Sequence, residues 1–236
     1  MSKAQKLNRR EFLGTALTAT AAFTILPRHV LGSAGYVAPS DRITIGCVGV
    51  GAQGTRVMMD FLRQSDVQIV SVCDVNSDSS TYCEWGPNEL RDKVRELIGN
   101  SRWGAGAQGC RAGREPAREI VEGYYARQKP SGKYTGCTTY RDYREMLEKE
   151  RDIDAIIVCT PDHNHAIVSM TAMKLGKHVY CQKPFTHSIF EARELARVSR
   201  ETKVATQVAV GNQASEATRL LAEWIGDGAI GAVGEV

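Results

Sequence analysis

The chain has 236 residues, 42% hydrophobic and 24% charged, the balance of a globular protein of one or two domains. Its net charge of +3 does not mark a nucleic-acid binder, because the excess is local: Lys3, Lys6, Arg9, Arg10 and Arg28 stand against one acid, Glu11, within the first 34 residues. The remainder has no basic stripe to follow a phosphate backbone, which excludes nucleic acid as the expected partner.

Asn8-Arg9-Arg10-Glu11-Phe12-Leu13 resembles a twin-arginine export signal. The apolar stretch that follows, Leu13 to Leu26, has 14 residues and several threonines, too short and too mild for a membrane span. Pro27 ends it, and Gly32-Ser33-Ala34 offers small residues for cleavage; no cysteine follows to carry a lipid. Residues 1–34 therefore read as a signal peptide, and the expected location is the periplasm. That route carries folded proteins, so a bound cofactor would travel with the chain and be recycled within its site.

The fold begins at Ile43. Ile43 to Val48 is uncharged and made of small or β-branched residues, a buried strand, and breaks into Gly49-x-Gly51-x-x-Gly54. From Thr55 the spacing turns helical, with Val57/Phe61 and Met58/Leu62 four apart. Strand, glycine turn and helix is the context in which this fingerprint binds a dinucleotide. Gly49 permits the tight turn, Gly51 leaves room for a pyrophosphate, and Gly54 allows close helix–strand packing, with Gln53 beside the phosphates. A second strand, Val67 to Cys73, ends in Asp74, 20 residues after Gly54. A carboxylate there accepts from ribose hydroxyls and repels a 2′-phosphate, so the expected cofactor is NAD rather than NADP.

A connection over 77–136 follows, with helices expected at Asn88 to Leu97 and Glu115 to Arg127 and a glycine-rich surface loop at 104–109. Arg111, Arg114 and Tyr125 are within it and could reach a substrate. A charged amphipathic helix is expected from Tyr140 to Glu150, then a buried strand, Ile153 to Cys159, ending in Thr160-Pro161-Asp162-His163-Asn164-His165. A helix stopped by Gly176, a strand at His178 to Cys181, and Gln182-Lys183-Pro184 come next. Ser188-Ile189-Phe190-Glu191 is a capping box for another helix. A strand at Val204 to Val210, a helix carrying Ala217, Leu220, Leu221 and Trp224, and the start of a strand at Gly228 to Val236 complete the chain. This alternation predicts an α/β fold: a Rossmann-type, mostly parallel sheet with helices on both faces. In such sheets ligands bind beyond the carboxyl ends of the strands. The glycine loop, Asp74, Thr160 to His165, Lys183 and Gly211 to Gln213 all fall there.

Seven cysteines do not form a disulfide scaffold. Cys47, Cys73, Cys159 and Cys181 belong to core strands, where a thiol packs as a small hydrophobe; Cys83, Cys110 and Cys137 leave one bridge open. His163 and His165, near Cys159 and Asp162, lack a fourth ligand at familiar spacing, so no metal is expected.

The glycine motif, Asp74, Thr160-Pro161-Asp162-His163-Asn164-His165 and Lys183-Pro184 together resemble the Gfo/Idh/MocA family, the relatives of glucose–fructose oxidoreductase and inositol dehydrogenase. The resemblance covers residues 42–236. It implies an NAD(P)-binding Rossmann domain followed by an α/β domain with a large open sheet. It also implies that Thr160, Asp162 and His165 lie along the cofactor, with Lys183 beside the nicotinamide as the catalytic group. The family's usual Glu is Gln182 here. The expected layout is a signal at 1–34, the Rossmann domain at 35–228, and at 229–236 the start of a truncated second domain.

Three functions follow as expectations. One is an NAD-dependent oxidoreductase acting on a sugar, polyol or glycoside hydroxyl, a homo-oligomer in full-length form. Another is an NAD-dependent glycoside hydrolase or lyase that oxidises transiently and eliminates. The third is a fragment that binds NAD without catalysis.

Overall fold

The computed structural model describes residues 37–84, 86–232 and 234. The signal-peptide reading of 1–34 lies outside the described residues. The chain divides into two units, 1–41 and 42–236. Of the first, the described part holds a single 3-10 turn, Pro39–Asp41.

The second unit alternates strand and helix. Its elements are β1 (Ile43–Val48), α1 (Ala52–Leu62), β2 (Val67–Cys73), β3 (Ser79–Tyr82), α2 (Glu89–Ile98), β4 (Cys110–Ala112), α3 (Arg114–Arg127) and β5 (Thr138–Tyr140). They continue as α4 (Tyr143–Lys149), β6 (Ala155–Val158), α5 (Asp162–Lys174), β7 (His178–Cys181), α6 (Ile189–Thr202), β8 (Thr206–Val208) and α7 (Glu216–Gly226). Six strands form one sheet in the order β5-β2-β1-β6-β7-β8, with every pairing parallel. The chain runs outward from β1 on one side, then crosses to β6 and runs outward on the other. The topological switch point is therefore between β1 and β6.

Successive strand residues feed opposite faces. Ile45, Cys47, Ile69 and Ile157 face a layer made by α1, α2 and α3, through Met58, Leu62, Leu90, Val94, Ile120 and Val121. Val48, Ile156, Val158, Val179 and Cys181 face the layer of α4, α5 and α6, through Met146, Ala172, Met173, Leu195 and Val198. Burial on both sides explains why β1 and β6 read as continuous apolar runs. The capping box is present: Ser188 Oγ accepts from the Glu191 N–H at 3.2 Å and the Glu191 carboxylate accepts from the Ser188 N–H at 3.1 Å. By contrast α7 buries none of its residues and leaves Leu221, Trp224 and Ile225 exposed.

Three expectations change. The helix expected from Tyr140 begins at Tyr143, because Thr138-Thr139-Tyr140 pairs with Ser71–Cys73 as β5 and Asp142 caps the helix by accepting from the Arg144 N–H at 2.9 Å. The 77–136 connection contains an antiparallel ribbon, β3 with β4, that was not expected. The strand expected at 228–236 is not formed over the described residues 228–232, which are turn and coil. The seven cysteines are all free, so the open bridge does not form.

Candidate functional site

The site starts where β1 ends. Gly49 adopts φ +81°, and a Cβ there would lie 2.6 Å from the backbone of Cys159 and Thr160, so the turn touches the end of β6. A Cβ on Gly54 would be 1.9 Å from the Gly49 carbonyl oxygen, which leaves no room for any side chain where α1 closes on the turn. Gly51 is the N-cap of α1 and supplies no side-chain acceptor. The first N–H groups of that helix are thus left without a side-chain partner, at the end that favours anions.

Asp74 continues β2 and is 9% exposed. Its Oδ2 accepts from the Val50 N–H at 2.8 Å and its Oδ1 from the Asn76 N–H at 2.9 Å. The carboxylate therefore braces the glycine turn as well as facing the cavity. Its two oxygens offer about four acceptor positions, so capacity remains for ribose hydroxyls.

Across the switch point, Thr160 follows β6, and its buried Oγ1 has no hydrogen-bond partner among the described residues. Two thiols, Cys159 and Cys73, are also in the cavity wall. Cys159 is pushed up to about 12 by burial, and Cys73 to about 12 by burial first and the Asp74 charge second. Both remain protonated at neutral pH, which removes a cysteine nucleophile here.

These groups line one cavity of about 930 Å³. It runs from the glycine turn past Asp74 to Arg141–Glu145 at the start of α4, and on the other side to Cys159, Thr160, Pro161 and Asn164. Of the expected cofactor residues, Gly49, Gly51, Gln53, Gly54, Asp74 and Thr160 are in its wall. Asp162, His165 and Lys183 are not among the lining residues. Asp162 is exposed in the first turn of α5.

His165 is 1% exposed, with Nδ1 2.5 Å from the Pro184 carbonyl oxygen and Nε2 2.7 Å from that of Thr160. Both ring nitrogens are occupied, so the ring presents none to a cofactor. It ties the Lys183-Pro184 turn to the cavity wall instead. Lys183 is exposed at the carboxyl end of β7, its N–H donating to Gln182 Oε1 at 3.1 Å, and the Lys183–Pro184 bond is cis.

Sequence reasoning missed Asn76, Tyr82 and Arg141–Glu145. The last group follows β5, whose final residue, Tyr140, had been expected to open the helix. Arg111, Arg114 and Tyr125 are all engaged elsewhere. Arg111 is held by Asp78 and Glu119, Arg114 donates to the carbonyls of Asp74 and Val75, and Tyr125 Oη accepts from the buried Ile69 N–H.

The residues fit a dinucleotide: a glycine cradle that a Cβ would fill, an uncapped helix start, a partly used carboxylate and an orphaned hydroxyl face one space. Among the described residues no group of three His, Cys, Asp or Glu side chains could hold a metal ion. No helix among them is long and apolar enough to cross a membrane.

A profile of the oxidoreductase family with an NAD-binding Rossmann fold, Gfo/Idh/MocA, matches residues 98–210. A glycosyl hydrolase family 109 protein of Shewanella pealeana is 24% identical over 212 residues, covering 84% of this chain and 38% of that protein. A levoglucosan dehydrogenase of Pseudarthrobacter phenanthrenivorans is 28% identical over 92 residues, 39% of this chain and 23% of that protein. The structure of a scyllo-inositol dehydrogenase of Lactobacillus casei, with NAD(H) and scyllo-inositol bound, matches with a TM-score of 0.51 and 17% identity, over 80% of this chain and 42% of that chain. The chain thus spans less than half the length of the relatives it matches.

Proposed function

We propose, for a chain that belongs to the Gfo/Idh/MocA family of NAD-binding oxidoreductases, that it is the cofactor-binding part of an enzyme acting on a hydroxyl of a sugar, polyol or glycoside. The observation that carries this reading is the cavity at the β1–β6 switch point, where the glycine turn, Asp74 and the unpartnered Thr160 Oγ1 meet. NAD would supply the hydride acceptor or donor. The chain's own residues do the rest. The α1 N–H groups would hold the pyrophosphate, Asp74 would accept from the ribose hydroxyls, and Thr160 Oγ1 would donate on the nicotinamide side. Lys183, two residues beyond the end of β7, the strand beside β6, can hydrogen-bond the substrate oxygen and stabilise alkoxide character on it.

A second reading keeps the same site but ends in bond cleavage: transient oxidation acidifies the neighbouring C–H, and elimination releases an aglycone. The relative that covers 84% of this chain is named a glycosyl hydrolase, which favours it, and such a cycle needs no external nicotinamide pool. A third reading is a chain that binds NAD without catalysis. We also propose export through the twin-arginine pathway, on the strength of Arg9-Arg10 and the apolar stretch after them.

One experiment separates these readings. A full-length protein is incubated with aryl glycosides and polyols, with and without added NAD, beside its Lys183→Met variant. The oxidoreductase reading expects NADH formation that requires added NAD; aglycone release with no net NADH supports the second. In either case Lys183→Met retains NAD and loses about 10²–10³ in turnover. Turnover by folded Lys183→Met at the wild-type rate removes Lys183 from the chemistry, and absence of turnover with NAD retained supports the third.

A further inference from the structure

Tyr82 ends β3, half-buried in the cavity wall. A Cβ on Gly51 would meet its ring at Cε1, 2.8 Å away, and at Cδ1, 3.2 Å away. The ring therefore rests on the side of Gly51 from which a side chain would project. That is the side a pyrophosphate needs when the middle glycine of this fingerprint lets it approach the backbone. A space too tight for a methyl group admits no phosphate.

The phenol is also bonded in place. Asn76 Nδ2 donates to Tyr82 Oη at 2.7 Å, and the Tyr82 O–H faces Asp74 Oδ1 at 3.5 Å. Asp74 Oδ1 accepts in turn from the Asn76 N–H. Tyr82 thus engages the carboxylate assigned to the ribose. Burial raises the phenol's pKa, which keeps it a donor at neutral pH.

Accordingly, we propose that Tyr82 is a plug in the dinucleotide site, seated where pyrophosphate and ribose belong, and that its displacement sets cofactor affinity. The proposal rests on reading the cavity as an NAD site. On entry of the dinucleotide the ring leaves Gly51, and Asn76 Nδ2 and Asp74 Oδ1 exchange the phenol for ribose hydroxyls. The ribbon allows this movement: among the described residues β3 pairs only with β4, through Ser79↔Ala112 and Tyr82↔Cys110 with an irregularity between, and Ser80, Thr81 and Cys83 are exposed.

The test measures NADH binding to the full chain by stopped-flow fluorescence, for wild type, Tyr82→Phe and Tyr82→Ala, with circular dichroism as the fold control. Tyr82→Ala is expected to bind faster and about tenfold tighter, the scale of one to two net hydrogen bonds. Tyr82→Phe keeps the ring and loses the hydroxyl, so its gain is smaller; it carries the test alone if the alanine variant does not fold. Unchanged or weaker binding by folded Tyr82→Ala would falsify the plug, because a ring that clasps the cofactor loses affinity when removed. If wild type and both variants fail to bind NADH, the cofactor reading falls, and the plug with it.

Discussion

His165 is a buried histidine whose two nitrogens both meet backbone carbonyls, Thr160 on one side and Pro184 on the other. Each ring nitrogen lies at hydrogen-bonding distance from one of these carbonyls, and a nitrogen that carries a proton donates to its own, so the ring is a brace and keeps no free hydrogen-bonding capacity. Removing the ring leaves both carbonyls without it. His165→Leu fills similar space, offers no donor, and is expected to lower unfolding stability by about 1–3 kcal/mol, the cost of an orphaned buried polar group. Urea denaturation checks this, and an unchanged midpoint with an unchanged slope would contradict the brace. At the same scale, Asp74 has two tasks, since it holds Val50 and faces the cavity. The sequence position suggested the second task. The first depends on where Val50 N–H points, which spacing does not encode.

Elements whose determinants are local matched their sequence signals. β1 is a run of uncharged residues, its glycine turn is constrained by contacts that a Cβ at Gly49 or Gly54 would break, and α6 carries its capping box in four consecutive residues. β7 spans His178–Cys181 as its pattern indicated. The failures share a cause. β5 is three residues long and becomes a strand only because Ser71–Cys73 lies beside it, while the ribbon pairs residues some thirty positions apart. Partners so distant leave no period in the sequence. As a result the wall from Arg141 to Glu145 and the ring of Tyr82 were hidden, although Gly49, Gly51, Gln53, Gly54, Asp74 and Thr160 were not. His165 was placed along the cofactor by the family resemblance. One helical turn into α5 it points inward instead, to the turn after β7.

At the scale of the whole molecule, strand order decides where ligands go. The strands are added in one direction from β1 and in the opposite direction from β6, all of them parallel, and the cavity lies at the switch point between the two. The proposed export adds a constraint, since a cofactor acquired before translocation must stay bound afterwards. Replacing Arg9 and Arg10 by Lys is expected to leave the protein in the cytoplasm, and cell fractionation showing normal export of that variant would remove the assignment. The central claim, that the switch-point cavity is an NAD site, is tested most directly by calorimetric titration of the folded chain and its Asp74→Ala variant with NAD and NADP. One NAD per chain is expected, bound more tightly than NADP. In Asp74→Ala the NAD affinity falls about ten- to a hundredfold, the scale of a hydrogen bond to a charged group, and NADP affinity falls less. Absence of saturable NAD binding, or NADP bound more tightly than NAD by the unmodified chain, would contradict that claim.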